Sequence, residues 1–327
     1  MKKRILSGIQ PSGRLHVGNW FGAIRQHVRL QDEGHDCFYF VANYHALTST
    51  QDRERLTDAT RHIVMGYLAL GIDPERSTLF LQSDVPQVVE LAWFLNCVCP
   101  MGLLERATSY KDKVARGMMA NVGLFAYPVL QAADITAYDA NLVPVGADQK
   151  QHLEITRDLV GKLNQVYGAN LLVEPEPFIV ESVAVVPGLD GQKMSKSYDN
   201  TIEIFTAPKA TSKRVMQIVT DSTPLEDPKD PATCNVFALL KLFATAEETA
   251  EIADSYRRGG YGYGHAKKRL GELVNEAFGP ARERYAELEA HPDHVTDVMR
   301  EGGKKARAVA EATLARVREA AGILTNR

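Results

Sequence analysis

Through the first 150 residues, short apolar runs alternate with longer stretches in which apolar positions recur at helical spacing. The runs Ile5–Gly8, Phe38–Ala42, Thr78–Leu81 and Leu142–Val145 predict strands. Between and after them, Arg53–Leu70, Val88–Cys97, Leu124–Tyr138 and Gln149–Val166 keep the 3.6-residue period and predict helices. Strand–helix alternation of this kind predicts an α/β fold: a Rossmann-like parallel sheet with helices on both faces. In such sheets ligands bind beyond the carboxyl ends of the strands. His16, His45 and Asp148 each follow a predicted strand at that end.

Strand signals stop after Phe205. The stretch Thr220–Thr233, rich in proline and acid, reads as a loop. Asn235–Phe243, Ala246–Tyr256, Tyr263–Leu288, His294–Arg300 and Lys304–Ala321 then predict helices, with Gly259-Gly260 as a break. The expected division is an α/β domain over 1–205, carrying an inserted helical segment, and a helical C-terminal domain over 206–327.

Composition narrows the class without choosing a function. At 327 residues, 45% hydrophobic and 24% charged, the chain has the makeup of a soluble globular protein with room for two domains. No apolar run approaches the roughly 18 residues of a membrane span. The basic start Met1-Lys2-Lys3-Arg4 has no apolar stretch behind it, so a cytoplasmic location is expected. Cys37, Cys97, Cys99 and Cys234 form no CxxC pair; reduced thiols are expected, with no zinc and no metal ligands. A net charge of −3 argues against indiscriminate nucleic-acid binding. The local clusters Arg257-Arg258, Lys267-Lys268-Arg269 and Lys304-Lys305 with Arg307 fit either an RNA contact or solvated helix faces.

Two segments carry phosphate chemistry. Lys193-Met194-Ser195-Lys196-Ser197, behind Gly188-Leu189-Asp190-Gly191-Gln192, puts two lysines three residues apart where they can grip a polyphosphate. Its hydroxyls and backbone N–H groups can fill the remaining acceptor positions. The second segment, Gly8-Ile9-Gln10-Pro11-Ser12-Gly13-Arg14-Leu15-His16-Val17-Gly18-Asn19, is a turn that opens a helix carrying Trp20, Ala23, Ile24 and His27. A helix start offers unpaired N–H groups to an anion. The segment is neither a dinucleotide fingerprint nor a P-loop, and alone His16 also fits a plain helix-start histidine.

Together, His16-Val17-Gly18-Asn19 and Lys193–Ser197 resemble the HIGH and KMSKS motifs of class I aminoacyl-tRNA synthetases. Gly18-Asn19-Trp20-Phe21-Gly22-Ala23, His45-Ala46-Leu47-Thr48, Glu105–Lys113 and Val143–His152 resemble the tryptophanyl family of that class. The resemblance spans the whole chain. It implies that 1–205 is the catalytic domain and 206–327 an anticodon-binding domain. The implied partners are ATP with Mg²⁺, L-tryptophan, tRNA(Trp) and a second copy of the chain, with Phe94–Leu104 as an apolar interface segment. No iron–sulfur cluster is expected, because Cys234 stands alone in the C-terminal region.

The resemblance also implies roles. His16, Asn19, Lys111, Lys113, Lys193 and Lys196 would act on the phosphates during adenylate formation. Gln10, Pro11, Ser12, Gly18, Asn19, Gly146, Ala147, Asp148, Val186 and Lys193–Ser197, including Met194, Ser195 and Lys196, would bind ATP. Asp148 also suits the N-cap of the helix that follows. Tyr127, Gln131 and Asp134 fall within about 60° on one helix face, where Asp134 could accept the indole N–H of tryptophan. Tyr127 and Gln149 would hold the amine, Val143 and Val145 would pack the indole, and His45 would line the same pocket. Gln131 replaces a methionine common in the bacterial family, and Tyr127-x3-Gln131-x2-Asp134 resembles the tyrosyl sister family. Asn43 replaces a common aspartate. Tyrosyl activation and a non-charging paralogue are the alternatives, while the shorter HxGH adenylyltransferases lack the helical C-terminal region.

Overall fold

The computed structural model describes residues 2–115, 117, 120–146, 150–168, 170–179 and 185–324, without the side chains of 108, 109, 112, 113, 145 and 179. Its centre is one parallel sheet in the order β3-β2-β1-β4-β5. The strands are β1 (Arg4–Ile9), β2 (Asp36–Val41), β3 (Ser77–Leu81), β4 (Leu142–Val145) and β5 (Glu176–Ile179). Register is set by pairs such as Leu6 with Phe38, Phe38 with Thr78, and Ile5 with Leu142.

Strand alternation feeds two cores. Ile5, Cys37, Tyr39 and Val41 point into one; Leu6, Phe38, Phe40 and Val143 point into the other. The first core lies under the helical run 17–32, the helix Arg53–Ala69 and most of the C-terminal helices. The second lies under the helices Gln87–Val98, Val122–Ala137 and Lys150–Tyr167. Each fully buried Leu, Ile or Phe contributes about 1.5–3 kcal/mol, so these two layers carry most of the stability. The order of strands reverses between β1 and β4. That places a ligand crevice beyond their carboxyl ends.

Two expectations change. β5 escapes notice in the sequence because Pro175 and Pro177 punctuate it; as the outer strand it tolerates a proline that an inner strand would not. The two helices expected over His294–Arg300 and Lys304–Ala321 are a single helix, Pro292–Ala320. Within the expected interface segment Phe94–Leu104, Phe94, Leu95 and Leu104 are buried in the chain and Met101 is exposed, as are the neighbouring Val89 and Trp93.

The glycine in the middle of Pro292–Ala320 has a steric cause. The helix crosses the outer edge of β3 at Gly302, where a Cβ would stand 1.8 Å from the Leu79 carbonyl oxygen. Beyond that crossing, Ala306, Ala310, Leu314 and Val317 enter the second core. The helix thereby covers an edge strand, and Arg318 pins it to Glu90 of the helix Gln87–Val98. Gly302→Ala is expected to lower unfolding free energy by about 1–3 kcal/mol through overpacking. Gly161→Ala, in an open helical position, is expected to raise it by about 0.5–1 kcal/mol. Urea midpoints check both; equal shifts would remove the close-approach explanation.

Candidate active site

The turn after β1 is built around buried backbone. His16 caps the short helix Val17–Asn19, and its own N–H donates to the Asn19 side-chain oxygen at 3.0 Å. The helix then passes through a π-helical turn, Trp20–Ile24, before resuming as Arg25–Asp32. Such turns break the regular ladder and recur at functional sites. Val17 N–H donates to Ile202 O and Ile204 N–H to Leu15 O, which stitches the turn to residues 202–204. His16 is buried, and its Nδ1 has no hydrogen-bond partner among the described residues. Burial first, and the nearby Lys196 charge second, push its pKa down to about 4. The ring is therefore neutral near pH 7.

The Lys193–Ser197 loop folds over this turn. Lys196 Nζ donates to Ser12 Oγ at 3.2 Å, and Gly18 N–H points at the Met194 sulfur at 3.3 Å. Burial pushes the Lys196 ammonium down to about 8, with Glu203 opposing. One buried amide organises the loop from behind. Asn200 accepts Ser195 N–H at 2.7 Å and donates to Asp190 at 2.7 Å and to Lys193 O at 3.1 Å. Only glycine fits at 188, where a Cβ would meet the Asn200 amide nitrogen at 2.2 Å. Val186 is buried, and its carbonyl accepts Met194 N–H at 2.9 Å. Val219 N–H donates to Leu189 O at 2.7 Å, which ties the loop to the C-terminal segment.

A second polar cluster forms on the helix Val122–Ala137. Asp134 is 2% exposed. Gln82 Nε2 donates to both of its oxygens at 2.9 Å, and His45 Nε2 lies 2.8 Å from one. Burial pushes the Asp134 carboxyl up, opposed by His45 and Gln82. Gln82 Oε1 in turn accepts Tyr44 N–H at 2.9 Å. Tyr127 Oη pairs with His152 Nε2 at 2.7 Å, and its ring meets His45 edge-on. Gln10 Nε2 donates to His45 O at 2.9 Å, joining this cluster to the β1 turn. A carboxylate offers about four acceptor positions, so Asp134 keeps capacity for a further donor.

The structure thus brings Gln10, Ser12, His16, Gly18, Asn19, Met194 and Lys196 together, and separately His45, Tyr127 and Asp134. Pro11 and Val143 are buried, and Gln131 is half-buried on the Asp134 helix. Lys111, Gly146, Lys193 and Ser197 are exposed. Ala147, Asp148 and Gln149 lie outside the described residues, as do the side chains of Lys113 and Val145. Asn43 exchanges hydrogen bonds with Ser83, at 2.7 and 3.1 Å, and so braces the Gln82 turn. The basic clusters are largely engaged within the chain: Arg257 with Asp254, Arg269 with Glu248, Lys304 with Glu301 and Arg307 with Asp84 O.

Gln82, Asn200 and His152 go unassigned by residue pattern. Gln82 directly follows a predicted strand, and the carboxyl-end rule that singles out His16 and His45 reaches it too.

With this geometry in place, comparison with known proteins is decisive. Residues 1–279 match the family model for tRNA synthetases class I (W and Y). The chain belongs to that family. It is 53% identical to a tryptophan–tRNA ligase of Fusobacterium nucleatum, over 99% of both chains. It is 51% identical to a tryptophan–tRNA ligase of Campylobacter jejuni, over 98% of this chain and 100% of the other. The Campylobacter jejuni tryptophanyl-tRNA synthetase crystallised with ADP and tryptophan superposes with a TM-score of 0.92 at 51% identity, over 98% of this chain and 99% of that one.

Proposed function

We propose that this chain joins L-tryptophan to tRNA(Trp) in two steps: ATP and tryptophan give tryptophanyl-adenylate and pyrophosphate, then the acyl group passes to the tRNA. Full-length identity near one half with tryptophan–tRNA ligases supports the substrate. The observation that carries the mechanism is the contact of Lys196 with Ser12, which sets a lysine-bearing loop against the helix-start turn. Catalysis of this kind is positioning plus neutralisation of phosphate charge, without a covalent enzyme intermediate.

Neutral His16 and Asn19 hydrogen-bond the α-phosphate region, with Gln10, Pro11, Ser12 and Gly18 shaping the ATP turn. Lys193 and Lys196 follow the departing pyrophosphate, with Lys111 and Lys113 approaching from their own helix. Gly146, Ala147 and Asp148 receive the ribose. Mg²⁺ bound to the phosphates would neutralise part of their charge, held mainly by phosphate oxygens and water. Among the described residues no cluster of three or more His, Cys, Asp or Glu gathers to hold it.

Asp134 selects the amino acid. Its spare acceptor position takes the indole N–H, a group phenylalanine lacks, while Gln82 and His45 hold the carboxylate in place. Tyr127, Gln131 and Gln149 serve the amine side, and Val143 and Val145 pack the ring. Residues 1–205 act as the catalytic unit and 206–327 as the anticodon-binding unit, with the last helix returning to brace the catalytic sheet. A second copy docks on the exposed face of Val89, Trp93 and Met101, where Trp93 is 69% exposed.

Amino-acid-dependent ATP–pyrophosphate exchange tests the substrate: tryptophan should support it, and exchange with tyrosine but not tryptophan would overturn the assignment. Asp134→Ala should raise KM for tryptophan about 10- to 100-fold, the loss of one charge-assisted hydrogen bond, while KM for ATP stays within about twofold. An unaltered tryptophan KM would remove Asp134 from the pocket. In sedimentation, the chain should run as a dimer and Trp93→Glu as a monomer; a monomeric parent chain would contradict the docking face.

A further inference from the structure

His62 sits on the helix Arg53–Ala69, 2% exposed, outside the set of residues that touch either substrate in the mechanism above. Its Nε2 receives the backbone N–H of Leu15 at 2.9 Å. That donor is a peptide group and cannot act otherwise, so Nε2 must carry the lone pair. A neutral imidazole has one acceptor nitrogen and one donor nitrogen. Nδ1 therefore bears the proton and donates to Tyr285 Oη, 2.7 Å away. Arg14 also lies 3.1 Å from Nδ1; its guanidinium is donor-only, and the Tyr285 hydroxyl, which it also hydrogen-bonds, takes its N–H in this arrangement. Burial, reinforced by the charges of Arg14 and Lys196, holds the His62 pKa down at about 4, in keeping with a neutral ring.

Both ends of this link matter. Leu15 is fully buried and immediately precedes His16, so its N–H requires a partner inside the protein. The plane of that peptide sets the direction in which the chain enters the His16 cap. At the other end, Tyr285 belongs to the long helix Tyr263–Ala290 and stacks on Phe205 at 4.3 Å. His62 meets the same Phe205 edge-on at 5.7 Å. Packing around Leu15 leaves little slack, since a Cβ on Gly66 would lie 2.4 Å from its side chain.

We propose that His62 is a positioning residue for adenylate formation: its ring clamps the peptide before His16 to Tyr285, so the phosphate turn is held from the C-terminal helices. The proposal rests on reading residues 8–19 as the turn that holds ATP phosphates. His62 touches no substrate. It acts by fixing the backbone on which His16 and Ser12 stand, and a displacement of about 1 Å at such a site costs on the order of 100-fold in rate.

The test is steady-state ATP–pyrophosphate exchange with tryptophan on the full-length chain, with thermal melting of every variant. His62→Phe keeps a ring against Phe205 but offers no acceptor to Leu15. It should lower kcat about 10- to 100-fold, with KM for tryptophan within about twofold. His62→Gln, whose amide can accept from Leu15 and donate to Tyr285, should restore most of that loss. Tyr285→Phe, which keeps the stack and loses only the hydroxyl, should lower kcat about three- to tenfold. Wild-type kcat in His62→Phe, or a Gln variant no better than Phe, would overturn the clamp. Should His62→Phe fail to fold, Tyr285→Phe decides: a loss of kcat at unchanged melting temperature supports the clamp, and wild-type kcat overturns it. His16→Ala separates the two levels. If it too turns over normally, the phosphate-turn reading fails; if it is crippled while His62→Phe is not, only the clamp falls.

Discussion

The contact between Lys196 and Ser12 joins two segments 184 residues apart in the chain. Everything around it serves to keep those segments within reach. The β1 turn is stitched to residues 202–204 by backbone hydrogen bonds, and the lysine loop is held from behind by Asn200. Partial burial of Lys196 lowers its pKa toward 8. An ammonium so placed is easily displaced from a neutral hydroxyl and strongly drawn to a phosphate. Glu203 is the nearby carboxylate that opposes this lowering, and the Nζ contact itself is with the neutral Ser12 hydroxyl.

The sheet supplies the frame for this contact. Strand order reverses between β1 and β4, which opens a crevice beyond the carboxyl ends of those two strands, where the β1 turn lies. The Asp134 cluster reaches that crevice from the inserted helices, linked to it by Gln10 and His45. The final helix crosses the β3 edge at Gly302 and locks onto Glu90 through Arg318. The C-terminal region therefore packs into the cores on both faces of the sheet.

What the sequence makes legible follows from how local each signal is. Four strands and the main helices announce themselves by hydrophobic period, and the lysine loop and glycine–proline turn by residue type. β5 is hidden by its prolines, whose tolerance depends on an edge position that only the sheet reveals. The gap expected between Arg300 and Lys304 contains Gly302, and the close approach to Leu79 that requires a glycine there within a continuous helix is a tertiary fact. His62 is similarly silent, and Gln82 is marked only by its place after a strand, not by its role. Their partners Leu15 and Asp134 lie 47 and 52 residues away, and a lone His or Gln says nothing of such distances.

The most direct measurement is the pH dependence of kcat/KM for ATP, which reports ionisations of the free enzyme. Lys196 holds its charge below its pKa and loses it as pH rises, so kcat/KM should fall above about pH 8. Lys196→Arg, whose guanidinium stays charged, should show no such fall at that pH, whatever its absolute rate. Identical profiles for the two proteins, or a parent profile flat through pH 10, would contradict the placement of Lys196 at the phosphates.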